Sequence, residues 1–408
     1  MVNQERLWQR LMTLAEIGRQ PDGGITRLSF SPEERAAKDT VRRWMEEAGL
    51  SVREDAVGNL IGRRSGQQND GPVVLTGSHL DSVYNGGNFD GPLGVLAALE
   101  AVQCMQETGV ETALPVEVVA FTDEEGARFR FGMIGSRGLA GTLTADHLEA
   151  VDANGVRIRD AMTAVGLNPD DIGQAARSSG SVAAYVEVHI EQGTVLERAN
   201  LPVGVVSGIA GPLWLKFSLR GQAGHAGTTA MDARRDALVG AAAIIQEIEA
   251  ACRQEVHTVG TVGQLTVEPG GVNIIPGQVE FTLDLRDVDA AVRTRVEQRI
   301  RTVAARICAD RQLDLSIAVL QDIAPVRCDE RIQAAIRTAC AQVGLSPLTV
   351  VSGAGHDGMQ LQHLCPIGMI FVRSKDGVSH HPAEWSSPED CAAGAEVLYH
   401  TLLQLSQG

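Results

Sequence analysis

Basic residues are scarce in this chain relative to acidic ones. Lysine and arginine number 35 against 51 aspartates and glutamates, which gives a formal net charge of -16 over 408 residues. Nucleic acids and anionic membranes are bound through positively charged surfaces. The charge balance therefore argues against both as partners, whereas a small anionic substrate needs only one local arginine.

Cysteine is uncommon, and its seven copies include no CxxC pair. An odd number without paired spacing does not suit a disulfide framework or a zinc-finger cage. Long apolar runs are absent too, since no segment approaches the roughly 18 apolar residues of a membrane helix. The start, MVNQERLWQRLMTLAEIG, is charged and amphipathic, unlike a secretory signal. We therefore expect a soluble, cytoplasmic protein.

Helices alternate with short apolar strands in much of the chain. The capping box Ser31-Pro32-Glu33-Glu34 opens a helix, and an apolar segment predicts another at residues 93–108. Apolar runs predict buried strands at residues 72–80, 116–121, 183–190 and 367–372. Strands separated by helices indicate a sheet with parallel pairs and helices on both faces.

The segment 211–325 follows a different pattern. Apolar residues alternate with polar or interfacial ones from Leu213 to Leu219, which predicts a strand with one buried face. Further helices and strands are predicted in the order helix 232–253, strand 258–267, strand 278–286, helix around 292–307 and strand 313–319. This β-α-β-β-α-β order is the split βαβ unit of ferredoxin-like domains.

Two domains are expected, because 408 residues exceed a single hydrophobic core. We predict a discontinuous catalytic domain formed by residues 1–210 and 326–408. The ferredoxin-like α+β domain, residues 211–325, is inserted into it.

Side chains able to bind metal follow four predicted strands of the first domain, in GSHLDSVYNGGNFDG, FTDEEG, VHIEQG and VSHHPAEW. They are His79, Asp81, Asp90, Asp123, Glu124, Glu125, His189, Glu191, Gln192, His380, His381 and Glu384. In open α/β sheets, ligands bind beyond the carboxyl ends of the strands. Mixed imidazole and carboxylate donors suit zinc, manganese, nickel or cobalt. The pattern predicts a metal site at this edge.

Each residue alone has a simpler explanation. A histidine at a strand end is more often a hydrogen-bonded polar residue than a ligand, and Glu124-Glu125 alone would be a solvated turn. Convergence favours the metal site, since adjacent glutamates let one bind metal while the other takes a proton from water. His380 is the preferred ligand of its pair, because His381 precedes a proline and is biased to an extended conformation. The glycines of NGGNFDG are explained if the backbone passes close to the metals.

Taken in order, these motifs resemble a clan of dinuclear metallopeptidases that includes carboxypeptidase G and the aminoacylases. HIEQG, GQAGHAGTT, GGVNIIPG, DLRD and SGAGHDG resemble its amidase, hydantoinase and carbamoylase branch. Longer runs such as GGNFDGPLGVLAALEAV and CPIGMIFVRSKDGVSHHPAEWS resemble bacterial N-carbamoyl-L-amino-acid hydrolases. The resemblance covers essentially the whole chain. It implies an α/β fold whose zinc-peptidase-like catalytic domain has a central mixed sheet flanked by helices, with the inserted domain serving dimerisation and as a lid.

The resemblance also implies roles at the metal site. Asp90 would bridge two divalent ions per subunit (Mn, Co, Ni or Zn). His79 and His189 would complete one site, and Glu125 and His380 the other.

Further roles surround the metals. Glu124 would be the general base, and Asp81 would orient His79 from behind, although an ordinary capping role for Asp81 is an alternative. His225 would donate to the oxyanion of the tetrahedral intermediate. By resemblance it would act in the other subunit of a homodimer formed through the inserted domain.

The small anionic substrate would be held by polar groups near the site. Arg286 offers a planar fork for its carboxylate, and Asn273 and Gln192 could bind the carboxylate or the ureido group. The backbone N–H of Gly355 could also contact the carboxylate. Alternatively, Asn273 is a turn residue, and Arg286 forms an ion pair with one of its neighbouring aspartates.

The expected reaction is metal-dependent hydrolysis of the carbamoyl amide of N-carbamoyl-L-amino acids to the L-amino acid, carbon dioxide and ammonia. Allantoate amidohydrolase and β-ureidopropionase need the same metals, base and anion site, so the core motifs do not separate them. A dipeptidase or aminoacylase is disfavoured by His189, which stands at a usually carboxylate position. A non-catalytic metal-dependent binding protein is disfavoured by the intact Glu124.

Overall fold

The computed structural model describes residues 1–407, which divide into two compact units. The first comprises Met1–Ser207, Cys328–Val350 and the residues from His356 onwards. The second comprises Gly208–Arg327 and Val351–Gly355. In residues 1–407, no helix combines the length and the apolar character needed to cross a membrane.

The elements are numbered along the chain. The strands are β1 (Ser51–Glu54), β2 (Leu60–Arg64), β3 (Val73–His79), β4 (Val116–Phe121), β5 (Val182–Ile190), β6 (Val203–Ile209), β7 (Gly211–Arg220), β8 (Gly224–His225), β9 (Val259–Thr261), β10 (Leu265–Glu268), β11 (Ile274–Ile275), β12 (Gln278–Asp287), β13 (Asp314–Asp322), β14 (Val326–Arg327), β15 (Leu348–Ser352) and β16 (Ile367–Val372). The α-helices are α1 (Gln4–Leu14), α2 (Pro32–Glu47), α3 (Pro92–Glu107), α4 (Ile134–Ala140), α5 (Ile158–Ala164), α6 (Val195–Ala199), α7 (Ala237–Cys252), α8 (Ala290–Asp310), α9 (Glu330–Gln342), α10 (Gly358–Leu361) and α11 (Pro388–Leu405). Short 3-10 helices lie at Ala145–Glu149, Pro169–Ala175, Met231–Ala233 and Lys375–Gly377.

The first unit is built on a mixed sheet with the strand order β1-β2-β4-β3-β5-β16-β6. Its central strands are parallel, since β3 lies parallel to β4 and β5, and β5 parallel to β16. β1, β2 and β6 join antiparallel. The predicted central mixed sheet flanked by helices is confirmed. The parallel strands all end at one edge, where the metal-capable residues were predicted.

The central strands and helix α3 of the first unit are apolar because they form its core. β3, β4 and β16 are buried along their whole length, as their mainly apolar runs predict for strands covered on both faces. Most residues of α3 are buried as well, because it packs against β3, α1 and α11. Pro92 opens this helix at its first turn, where the missing N–H has no intrahelical partner to lose.

The second unit holds an antiparallel sheet in the order β10-β12-β7-β13, with β9 also paired to β12. Its buried face carries alternate residues of β7, and Phe217 stacks on Phe281 with ring centroids 4.7 Å apart. The helices α7 and α8 contact each other and pack against β12. The element order along the chain is that of the predicted split βαβ unit, with an additional strand pair, β8 and β11.

Two predictions within this unit were wrong in their bounds. The helix expected from residue 232 begins at Ala237, because the Asp236 side chain accepts the N–H groups of Leu238 and Val239 and so caps it there. The single strand expected over 258–267 is two strands, β9 and β10, that pair with different parts of β12.

The predicted domain boundaries at 211 and 325 lie three and two residues inside those of the second unit. The segment Val351–Gly355, predicted to lie in the catalytic domain, belongs instead to the second unit. Its contacts explain this, since Ala210 donates its N–H to the Ser352 carbonyl at 2.8 Å. Arg286 likewise donates to the Gly353 carbonyl at 2.7 Å.

Candidate active site

Five predicted metal ligands converge at the carboxyl edge of the first unit's sheet. The ligand atoms of His79, Asp90 and His189 lie within 4.8 Å of one another, and so do those of Asp90, Glu125 and His380. His79 ends β3, and His189 lies near the end of β5. The two groups are those predicted from the sequence, with Asp90 common to both.

Asp90 turns one carboxylate oxygen toward each group. Its Oδ1 lies 3.1 Å from His189 Nε2 and 3.4 Å from His79 Nε2. Its Oδ2 lies 3.3 Å from His380 Nε2, and that nitrogen is 3.6 Å from Glu125 Oε2. His79 and His189 are buried, whereas the His380 side chain is 49% exposed. One group is therefore deep and the other opens toward solvent.

The outer nitrogens of the two buried histidines are fixed by backbone carbonyls. His79 Nδ1 lies 3.0 Å from the Asp81 carbonyl oxygen, and His189 Nδ1 lies 2.9 Å from the Ile190 carbonyl oxygen. A carbonyl oxygen only accepts, so each Nδ1 carries a hydrogen, and in the neutral ring each Nε2 keeps its lone pair. That tautomer directs both lone pairs toward Asp90 and is the one expected of metal-binding histidines.

The side chain of Asp81 has a different main contact from the one predicted. Its carboxylate lies 3.6 Å from His79 Nδ1, farther than its own carbonyl oxygen. The carboxylate instead accepts the N–H groups of Glu124 at 3.2 Å and Glu125 at 3.1 Å. Asp81 therefore fixes the backbone of both glutamates.

The buried side chain of Arg27 supports the segment that precedes Asp81, a role that the sequence did not indicate. It is 1% exposed and donates to the carbonyl oxygens of Leu14, Ile17 and Leu80. Burial lowers the pKa of Arg27 to about 10, and Asp81 acts in the opposite direction. The arginine thus joins the end of α1 to the residue that precedes Asp81.

The acid–base properties of the cluster follow from its burial. Burial raises the pKa of Glu124 well above its ordinary value, although His79 opposes the shift. Burial and the neighbouring Asp90 raise the pKa of Glu125 to about 7. Burial alone would also raise the pKa of Asp90, but His189 and the other two imidazoles lower it well below its usual range. The hydrogen bond to Asp90 raises the pKa of His380 to about 9.

This donor set fits divalent cations. Nε2 of His79 is buried and makes no well-aligned hydrogen bond to any residue of the described chain, with Asp90 Oδ1 3.4 Å away. Two carboxylates and three imidazoles with converging lone pairs suit a borderline transition metal. A cation would satisfy the buried nitrogen and offset the crowded carboxylates.

The loop that carries Asp90 is held by side chains from distant parts of the sequence. Glu384 accepts the N–H groups of Phe89 at 2.8 Å and Asp90 at 3.0 Å. Gln192 Nε2 donates to Asp90 Oδ2 at 2.6 Å, and Ser379 Oγ lies 2.9 Å from the same oxygen. Glu384 is thus a supporting residue, and Gln192 orients Asp90; its predicted contact with substrate remains a prediction.

Other metal-capable residues of the sequence lie outside the two groups. The Asp123 carboxylate is buried against the Ser29 hydroxyl, and burial raises its pKa well above its ordinary value. Glu191 accepts N–H groups at the start of α6, 2.6 Å from Val195 N. The Nδ1 of His381 accepts the N–H of Ala383 at 3.1 Å.

Two glycines of NGGNFDG are required by close contacts. A Cβ on Gly91, whose φ is +81°, would lie 2.5 Å from the His79 ring. A Cβ on Gly87 would lie 2.1 Å from the carboxyl group of Glu384. As expected, the backbone here passes close to the predicted ligands, which leaves no room for a side chain.

A further buried polar group lies behind His189 and was missed in the sequence. Glu187 accepts hydrogen bonds from Ser78 Oγ at 2.7 Å and Tyr185 Oη at 3.0 Å. The ring of His356 packs edge-on against His189 with centroids 4.4 Å apart. Burial and His189 lower the pKa of His356 well below its ordinary value. Strand alternation could have found Glu187, since residues two apart share a face of β5.

In the second unit, His225 and Asn273 are brought together by the short pair of β8 and β11. His225 pairs in register with Ile274, and the Ala226 N–H donates to the Asn273 carbonyl at 2.9 Å. Both His225 and Asn273 are exposed, and His225 Nδ1 accepts the N–H of Gly227 at 3.0 Å.

Arg286 in β12 has an acidic partner. Its Nε lies 3.0 Å from Asp284 Oδ1 and its Nη2 2.9 Å from Asp284 Oδ2. The sequence left open an ion pair with either neighbouring aspartate, and the structure contains the one with Asp284. Asp287 instead contacts the Thr258 hydroxyl. Gly355 lies in the same unit, two residues after the carbonyl that Arg286 binds.

A family comparison agrees with this arrangement. The model of the peptidase family M20/M25/M40 matches residues 75–404. The chain belongs to this metal-dependent family. The predicted resemblance is confirmed.

Individual relatives match over the full length. The N-carbamoyl-L-amino acid amidohydrolase of Geobacillus stearothermophilus is 61% identical over 408 residues, which is 100% of both chains. The N-carbamoyl-L-amino-acid amidohydrolase of a Pseudomonas species is 44% identical over 99% of this chain and 98% of the relative. More distant is the allantoate deiminase of Arabidopsis thaliana, 37% identical over 94% of this chain and 80% of the relative.

The fold is shared with solved structures. The crystal structure of an amidase of the hydantoinase/carbamoylase family from Burkholderia multivorans has a TM-score of 0.94 and is 38% identical. The match covers 100% of this chain and 98% of that chain.

Proposed function

We propose that this chain is an amidohydrolase that cleaves the carbamoyl amide of N-carbamoyl-L-amino acids. The products are the L-amino acid, carbon dioxide and ammonia. The observation that carries the proposal is the 61% identity, over the whole of both chains, to a relative named for this activity. The convergence of His79, Asp90, Glu125, His189 and His380 supports it, because such a hydrolysis needs an activated water.

The proposed cofactor is a pair of divalent cations, Mn, Co, Ni or Zn. His79 and His189 would hold one and Glu125 and His380 the other, with one oxygen of Asp90 turned toward each. Such cations acidify a water molecule and polarise the carbonyl group under attack.

Glu124 is the proposed general base. Its side chain is 9% exposed, and its Oε2 lies 3.8 Å from His79 Nε2 at the edge of the cluster. The raised pKa of Glu124 suits a group that takes the proton of the attacking water and then donates it to the departing nitrogen. The Asp81 carboxylate accepts the backbone N–H of Glu124 and so fixes the main chain from which the Glu124 side chain extends.

The second unit would supply the groups that recognise the substrate. Arg286 would bind its carboxylate, with Asn273 and the Gly355 N–H as further donors. His225 would donate to the oxyanion that forms as water attacks. Its exposed position in the second unit is compatible with action in the active site of a partner subunit, and we propose a homodimer formed through this unit.

Allantoate is the second candidate substrate, because an allantoate deiminase matches 94% of this chain. It carries both carboxylate and carbamoyl groups, so the same metals, base and arginine would serve. The lower identity of 37%, against 61%, favours the N-carbamoyl-L-amino acid.

A substrate panel tests the proposal. Metal-reconstituted protein is offered N-carbamoyl-L-methionine, its D-enantiomer, allantoate, N-carbamoyl-β-alanine and a dipeptide, and the release of ammonia and amine is measured. We expect the highest kcat/KM for the L-carbamoyl compound and no turnover of its enantiomer. A preference for allantoate over several N-carbamoyl-L-amino acids would keep the reaction class and overturn the substrate.

A further inference from the structure

The guanidinium group of Arg286 is already engaged on one side. Asp284 accepts from Nε and Nη2 at 3.0 and 2.9 Å, and the Gly353 carbonyl accepts from Nη1 at 2.7 Å. A guanidinium has five N–H donors, so these contacts leave one N–H on each terminal nitrogen. Within residues 1–407, Nη1 and Nη2 donate to no acceptor other than the Gly353 carbonyl and Asp284.

The contacts decide which edge of Arg286 is open. Asp284 occupies the edge formed by Nε and Nη2, which is one of the two edges that can bind a carboxylate bidentately. A substrate carboxylate is therefore left with the edge formed by Nη1 and Nη2. The Gly353 carbonyl accepts from Nη1, so a single N–H remains on that nitrogen for an anion.

The positions of Asp284 and Arg286 in β12 bring their side chains together. Asp284 and Arg286 are two residues apart in β12, so their side chains leave the sheet on the same face. Their side chains are 32% and 28% exposed. Ion pairs at such exposure contribute little to stability, so stability alone is a weak reason for the bidentate geometry.

We propose that Asp284 is a positioning residue of the carboxylate subsite, acting through Arg286. It fixes the guanidinium plane and closes one edge, so that only an anion approaching the Nη1–Nη2 edge is bound in two places. It also neutralises the arginine, so that recognition depends on geometry more than on charge. The inference rests on the proposed function, in which Arg286 binds the substrate carboxylate.

The consequence is specificity for the distance between carboxylate and scissile bond. An arginine without Asp284 could rotate and bind carboxylates at either edge. Substrates with one more methylene, such as N-carbamoyl-β-alanine, would then be accepted more readily relative to α-carbamoyl acids.

The test uses Asp284→Ala and Asp284→Asn in the full-length, metal-loaded protein. The asparagine keeps one acceptor for Nε, so it should rescue part of the loss. For N-carbamoyl-L-methionine we expect Asp284→Ala to raise KM about tenfold with kcat changed less than about twofold, and to reduce the preference over N-carbamoyl-β-alanine. Asp284→Asn should lie between Asp284→Ala and wild type.

A matched control is available in the same sheet. Lys216 and Glu280 form an exposed ion pair at 2.8 Å between β7 and β12. Glu280→Gln removes one charge without touching Arg286, and it should leave KM and substrate preference at wild-type values. Thermal unfolding of Asp284→Ala, Asp284→Asn and Glu280→Gln shows whether each variant is folded.

Two outcomes would overturn the inference. If Asp284→Ala changes KM as much in an Arg286→Lys background as in the wild type, Asp284 does not act through Arg286. If Asp284→Ala lowers KM, the aspartate merely competes with the substrate for the arginine. Failure of the proposed function is a separate result, seen in the wild type alone as a preference for allantoate; the Asp284 variants are then compared on allantoate, which also carries a carboxylate.

Discussion

The two units hold their predicted functional residues in contrasting ways. In the first unit, His79 and His189 are buried at the ends of central strands and Asp90 in the loop before α3, with ligand atoms within 4.8 Å of one another. In the second unit, His225 is exposed in the short strand β8, and Asn273 is exposed just before its partner strand β11. The residues proposed for bond cleavage are thus fixed by burial and mutual contacts, whereas those proposed for substrate recognition lie on exposed elements with few contacts to hold them.

The largest effect should come from the residue that the first unit's two metal groups share. Asp90→Asn replaces one of the two carboxylate oxygens with a donor, so we expect loss of metal from both groups and of essentially all activity. Chelation of the wild type should also abolish activity, and Mn, Co or Ni should restore it. Elemental analysis measures the metal content, and ammonia release measures the activity. Full activity in verified metal-free protein would disprove the metal requirement.

Glu124→Gln should have the next largest effect, with a lowered kcat. The amide keeps the shape of the side chain but cannot accept a proton, and loss of a general base costs roughly 10²–10⁴-fold. Metal content and thermal unfolding should stay close to wild type, since Glu124 lies outside both ligand groups. A rate within a factor of a few of wild type would show that another residue is the base.

In the second unit, His225→Ala should lower kcat by roughly 10²–10³-fold, as loss of an oxyanion donor does. Mixing His225→Ala with Glu124→Gln should restore activity, because in a homodimer one hybrid site then has both groups. With random exchange of subunits, roughly a quarter of wild-type activity is expected. Stable mutants that exchange subunits without regaining activity would exclude action across the interface.

Arg286→Lys should have the smallest effect of the four. Lysine supplies charge without the planar fork, and the lost hydrogen bond to a charged group costs roughly 1.5–3 kcal/mol in kcat/KM. The choice between α- and β-carbamoyl acids should weaken as well. Steady-state kinetics on both substrates measure this; unchanged rate and enantioselectivity would assign Arg286 a purely structural ion pair with Asp284.

The sequence predicted best what depends on local pattern. The strands 116–121 and 367–372 have the predicted bounds, because each is a mainly apolar run with a proline before it and a polar residue after it. The metal-capable residues at strand ends follow from the same reasoning, since parallel strands share one edge. Their roles as ligands remain predictions.

Contacts between distant segments could not be predicted from one sequence. The Glu384 carboxylate could bind a metal, yet it accepts the N–H groups of Phe89 and Asp90, nearly 300 residues earlier. The assignment of Val351–Gly355 to the second unit depends on pairing that no local pattern encodes. Arg27 was overlooked because a lone arginine before a helix is usually exposed.

The two ends of the insertion lie next to each other. Cys328 donates its N–H to the Ser207 carbonyl at 3.0 Å, and Arg327 pairs antiparallel with Gly208. The chain therefore leaves the first unit and returns to it at neighbouring positions, with more than a hundred residues between them. Insertions are tolerated where the two ends lie close together, so the length of the intervening segment does not alter the order of the host strands or the spacing of His79 and His189.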